Sequence, residues 1–141
     1  KTGYQIAHEF AVAQGEKSLH SLKQLKEYFK VGGIYINRRH DNHKEDLYRY
    51  SVVKRGDLAN VIIPFFQKHS LQTSKKNDFK LFAKCVKLML ANKHLTREGA
   101  IKIAMICEKM NHKKPRTDLI RILRNQTSDS AKSGEDRVLS A

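Results

Sequence analysis

From Tyr4 to Gln14 apolar and polar residues alternate: Ile6, His8, Phe10 and Val12 fall on one side, and Gln5, Ala7, Glu9, Ala11 and Ala13 on the other. A period of two with Phe and Val sharing a side predicts a half-buried strand. The period then lengthens. Ser18 stands where a helix cap belongs, Leu19, Leu22, Leu25 and Phe29 recur at helical spacing, and Gly32-Gly33 ends the pattern. Ile34–Arg39 and Leu47–Val53 return to alternation on either side of a polar segment, His40–Asp46, which predicts a hairpin with a long connection. Its apolar side carries Ile34, Ile36, Tyr48, Tyr50 and Val52. Its other side carries Tyr35, Asn37, Arg39, Arg49 and Ser51, a set too polar for a core.

Helical patterns follow. Asp57 reads as the cap of one that holds Leu58, Val61, Ile62, Phe65 and Phe66, and Pro64 within it predicts a kink or a restart. A polar stretch from Ser70 to Asp78 leads to a helix with Phe79, Phe82, Val86, Met89 and Leu90. Thr96 caps another, with Ile101, Met105, Ile106 and Met110. The order of elements predicts an α+β fold, an antiparallel sheet backed by helices. The expected organisation is one domain over 1–111, a basic linker and short helix over 112–125, and a disordered tail over 126–141. The chain opens at Lys1-Thr2-Gly3 without Met, and a strand before Tyr4 would complete the sheet; the expectation is that it is a piece of a longer protein.

Charge narrows the partner. The 141 residues hold 28 Lys and Arg against 14 acids, a formal charge of +14, which repels itself in a compact state and calls for a polyanion. Nucleic acid and an anionic membrane surface both qualify. The cations are dispersed over strands, loops and helices, with no single basic amphipathic anchor, which favours nucleic acid. No apolar run approaches the roughly 20 residues of a membrane span. Cys85 and Cys107 sit among apolar neighbours and read as small buried hydrophobes, in keeping with a reducing compartment inside the cell.

The B-DNA major groove admits a two-stranded β-ribbon, whose alternate side chains reach base edges. On the hairpin, Arg39 and Arg49 suit guanine or phosphate, and Asn37, with Gln5 on the first strand, suits adenine. Lys44, Lys54 and Arg55 at its margins suit phosphates. Catalytic chemistry is harder to find. His40-Asp41-Asn42-His43 lacks further ligands at metal spacing, and no G-x-S-x-G, P-loop or C-x-x-C is present. Glu9 stands alone on its strand face; Asp41, Glu45 and Asp46 lie in a loop; Asp57 and Asp78 read as caps. No metal site is evident.

An ordered set of segments nevertheless resembles one family. Glu9-Phe10-Ala11-Val12-Ala13-Gln14, Gly32-Gly33-Ile34-Tyr35-Ile36, Tyr48-Arg49-Tyr50, Ile63-Pro64-Phe65-Phe66, Lys75 through Asp78-Phe79, and Leu95-Thr96-Arg97-Glu98-Gly99 closing at Met110-Asn111 are similar to the single-motif LAGLIDADG homing endonucleases of mobile introns. The resemblance implies an αββαββα unit, paired in a homodimer whose strands form a saddle on double-stranded DNA. Gln5, Ala7, Glu9, Ala11, Tyr35, Asn37, Arg39, Arg49 and Ser51 would then share the DNA side. It implies Mg2+-dependent phosphodiester cleavage, with Gln14 resembling the glutamine near the scissile phosphate and Lys75 or Lys76 the lysine that organises water. The family's defining helix and its metal-binding acid precede the first strand and are expected outside this sequence, so these residues alone are expected to bind and not to cut. An organelle or the bacterial cytoplasm is the setting implied. The alternative is a non-catalytic nucleic-acid-binding module or an intron RNA maturase.

Overall fold

Strong alternation becomes strands and strong helical spacing becomes helices. In chain order they are β1 (Tyr4–Ala7), β2 (Phe10–Gly15), α1 (Leu19–Phe29), β3 (Gly33–Asn37), β4 (Leu47–Val52), α2 (Arg55–Asp57), α3 (Ile63–Lys68), α4 (Lys75–Leu90), α5 (Arg97–Met110), α6 (Thr117–Asn125) and β5 (Arg137–Ser140). This computed structural model describes residues 4–38, 46–110, 117–125 and 137–140. Its contacts divide the chain into two compact units, one of 9–69 and one of 1–8 with 70–141. That division does not follow the boundaries read from composition.

In the unit 9–69, β4 lies between β2 and β3 in a three-stranded antiparallel sheet. One side is packed. Tyr50 and Val52 of β4 are fully buried, and α1 brings Leu22 and Phe29 against the strands. Phe29 stacks on Tyr50 with rings 6.4 Å apart and 12° from parallel, and meets Phe65 edge-on at 5.0 Å. Phe10 meets Phe66 at 5.4 Å. The core of this unit is therefore aromatic, and the polar end of Tyr50 is satisfied: its hydroxyl donates to the Val31 carbonyl at 2.8 Å.

Local chemistry sets the joints. Helix α1 ends because Lys30 turns left-handed, φ 58°, and its N–H closes on the Lys26 carbonyl. Gly32, φ 79°, then aims the chain into β3 so close to β4 that a Cβ would stand 2.5 Å from the Ser51 carbonyl oxygen. Pro64 does restart its helix. A π-helical turn, Leu58–Ile62, separates α2 from α3, and the proline falls in the first turn of α3. The widened turn relieves the clash its ring would make with the carbonyl four residues back.

In the other unit, β1 sends Ile6 into a core with Cys85 and Met89 of α4 and Ile103 and Cys107 of α5. Ala100, Ala104, Ile120 and Leu123 join α5 to α6. Thr96 caps α5 as its sequence position predicts: its hydroxyl oxygen accepts the Gly99 N–H at 3.1 Å while donating to the Lys93 carbonyl at 2.8 Å. Arg97 donates to the Leu123 carbonyl at 2.6 Å, binding the start of α5 to the end of α6. Cys85 and Cys107 are buried thiols not joined in a disulfide; the hydrogen bond between them, and then burial, push the Cys85 thiol far above its ordinary range.

Several expectations are corrected. Tyr4–Gln14 is two strands, parted at His8–Glu9 and assigned to different units, because alternation records sidedness and not which partner a strand pairs with. Asp57 is no cap, since it lies inside α2 with helical dihedrals. Helix α4 begins at Lys75, ahead of Asp78, where the Thr73 hydroxyl accepts the Lys75 N–H at 3.3 Å. Within the tail expected to be disordered, 137–140 form β5, paired in parallel with β1. The hairpin connection, with Arg39 and Lys44, lies outside the described residues.

Candidate nucleic-acid interface

Residues directly opposite in an antiparallel pair point to the same side, so the register divides the sheet into two faces. Val12, Tyr50 and Ile34 lie in one row of the packed face, and Phe10 pairs with Val52 beside them. The open face has three rows: Ala11, Ser51 and Gly33; Ala13, Arg49 and Tyr35; Gly15, Leu47 and Asn37. Tyr35 is 57% exposed, Asn37, Ala11 and Ala13 are exposed, and the Arg49 side chain keeps 46% of its surface. An exposed arginine thus stands on the central strand between an alanine and a tyrosine.

Glu9 ties the face together. Its Oε1 accepts the Ser51 hydroxyl at 2.5 Å and lies 3.5 Å from Arg49 Nε. Ser51 is 5% exposed, and its hydroxyl donates to Glu9. The carboxylate also positions Arg49, a charge-assisted contact in a half-exposed setting. The partnership was invisible in the sequence, because Glu9 and Ser51 are 42 residues apart. Ala13 shares the face as well, and the signal was there: it has the same parity as Ala11.

The remaining candidates are scattered. Gln14 is exposed near the end of β2, in a row with Tyr48 and Ile36 on the packed side of the sheet. Lys54 is exposed after β4, and Arg55, half-buried, opens α2. In the other unit, Gln5 is exposed and Ala7 half-buried on β1, on the side of the strand away from buried Ile6. Lys75 and Lys76 form the exposed first turn of α4, where Lys75 Nζ lies 3.6 Å from Asp78.

No group of three or more His, Cys, Asp or Glu that could hold an ion occurs among the described residues. Glu9 already faces a guanidinium, which opposes a cation. Among the described residues no helix is long and apolar enough to cross a membrane.

Comparison with known proteins agrees with this architecture. The profile of the LAGLIDADG endonuclease family matches residues 1–86. A probable intron-encoded endonuclease of Neurospora crassa is 36% identical over 99 residues, 70% of this chain, which spans only 21% of that relative's length. A probable intron-encoded DNA endonuclease of Mycosarcoma maydis is 29% identical over 115 residues, 81% of this chain and 94% of the relative. Among solved structures, the homing endonuclease I-TnaI superposes with a TM-score of 0.66 at 34% identity, covering 82% of this chain and 74% of that one. The I-SmaMI LAGLIDADG homing endonuclease bound to cleaved DNA gives 0.69 at 28% identity, covering 92% and 41%. Since the profile covers more than half of the chain and takes in the whole three-stranded sheet, the chain belongs to the LAGLIDADG endonuclease family.

Proposed function

We propose that the open face of the β2–β4–β3 sheet lies in the major groove of double-stranded DNA and contributes site-specific recognition to a homing endonuclease. One observation carries this reading: the register sets Arg49, Tyr35 and Asn37 side by side on a strand surface whose other side holds the core. Arg49 takes guanine through its guanidinium, steadied by Glu9; Asn37 suits adenine. Lys54 and Arg55 hold phosphates and set register without reading sequence. The DNA-bound I-SmaMI relative supports the choice of ligand.

Cleavage is the finer part of the proposal. Gln14, exposed at a strand end, and Lys75 or Lys76, exposed in the first turn of α4, are the helper positions, the amide orienting water and the ammonium stabilising developing charge. Mg2+ is the metal proposed for the intact enzyme, and a homodimer its assembly. The described residues hold no group of three or more His, Cys, Asp or Glu for that ion, and its carboxylates are proposed to lie outside them.

Arg49→Ala tests the reading. Binding to a panel of duplexes differing at single base pairs should weaken by roughly 1–3 kcal/mol for the preferred sequence, with discrimination relaxed at particular positions. Uniform weakening across the panel would reduce Arg49 to a phosphate contact. An A-form helix hides its major groove from side chains, so double-stranded RNA should compete poorly at equal salt. Equal or better affinity for folded intron RNA would favour a maturase.

A further inference from the structure

The outward side of α4 carries, beyond Lys76, a row of cations that neither base reading nor cleavage accounts for. Phe82, Cys85, Val86 and Met89 mark the buried side of the helix. At 3.6 residues per turn, Lys76, Lys80, Lys84 and Lys87 fall within an arc of roughly 80° centred opposite those four. All four lysines are exposed, and none forms an ion pair among the described residues. The neighbours on that arc, Asn77 and Ala83, carry no charge, so no carboxylate of the helix answers the lysines.

On a helix face that meets water, opposite charges at a spacing of four stabilise the helix. Here Lys76, Lys80 and Lys84 repeat like charge at that spacing, which weakens a helix. From Lys80 to Lys87 the axis advances about 10 Å, at 1.5 Å per residue, and one strand of B-DNA presents a phosphate every ~3.4 Å of its axis. Three lysines over that length match about three phosphates. Lysine also has the right chemistry, because a point charge on a flexible stem binds phosphate without reading a base.

We propose that the ridge Lys80, Lys84 and Lys87 is a second, sequence-blind contact for the phosphate backbone of double-stranded DNA. It rests on DNA being the ligand, and not on the sheet being the surface that reads it. The ridge supplies general affinity and fast capture, and the sheet supplies discrimination.

The test uses the full chain and a mixed-sequence DNA duplex, with the combined variant Lys80→Gln, Lys84→Gln, Lys87→Gln. Glutamine keeps helix propensity, and circular dichroism checks that the fold is retained. Each phosphate neutralised contributes about 0.9 to the slope of log affinity against log salt, so the slope should fall by about 2–3. The matching Lys→Arg variant should keep the parental slope. An unchanged slope in the glutamine variant overturns the proposal. So does a variant that keeps its duplex slope but loses affinity for a structured RNA hairpin, which would make the ridge an RNA contact. If Arg49→Ala leaves discrimination intact while the ridge variant loses slope, the sheet reading fails and the ridge stands. Failure of the parent chain to bind any duplex at low salt removes both.

Discussion

In the unit 9–69 a single sheet is covered by aromatic side chains on one side and presents Tyr35, Asn37 and Arg49 on the other. In the unit of 1–8 and 70–141, α4, α5 and α6 close on a core of thiols, thioether and aliphatics, with charge on the outward arcs. The two surfaces are offered in different ways. Strand side chains in the same row stand about 5 Å apart on a fixed pleat, which suits reading a pattern. Lysines on a helix ridge are long and mobile, which suits holding a polymer. Geometry therefore separates discrimination from adhesion before any ligand is considered.

Each unit also has its own reporter. Tyr28, Tyr35, Tyr48 and Tyr50, four of the five tyrosines, lie in 9–69, while both cysteines lie in the other unit. Tyrosine absorbance and thiol labelling should therefore follow the two cores separately through a denaturant titration. The largest effect expected is from Phe29→Ala, which removes the ring that meets Tyr50 and Phe65. It should destabilise by about 3–5 kcal/mol, displacing the tyrosine transition well ahead of the thiol one. Equal displacement of both signals would mean that the cores fold as one cooperative body.

A matched pair of glycine substitutions sharpens the contrast. Gly32→Ala places a methyl against the Ser51 carbonyl in a left-handed conformation; Gly99→Ala drives one into the Lys93 carbonyl under the start of α5. Each should cost roughly 1–3 kcal/mol, the first in the tyrosine transition and the second in thiol exposure. The smallest effect lies on the reading face. Glu9→Gln removes a negative charge that DNA would meet and frees Arg49 from its partner. Affinity for every duplex should rise by up to about 1 kcal/mol while discrimination falls, read by the same panel binding assay. A loss of affinity would show that Glu9 itself accepts from a base.

Much of this was legible in local pattern. The parity of Tyr35, Asn37 and Arg49 gave the open face, the spacing of Leu22 and Phe29 gave the buried side of α1, and Thr96 gave a cap because a cap acts within one turn. What escaped depended on partners distant in sequence. The hydrogen bond from Ser51 to Glu9 spans 42 residues, and Tyr4–Gln14 looked like one strand because nothing local records that its halves join different cores. Lys75 fell within the polar stretch ahead of its helix because the Thr73 hydroxyl starts α4 before the apolar pattern does.

Ala11 and Ala13 stand exposed on the same strand face, beside Ser51 and Arg49. A methyl there contributes nothing to the core and reaches for nothing outside it. These are blank keys on an otherwise cut lock. Longer polar side chains at the two positions would extend outward and leave the aromatic packing beneath untouched, which makes them the places where this scaffold can acquire a new target while keeping its fold.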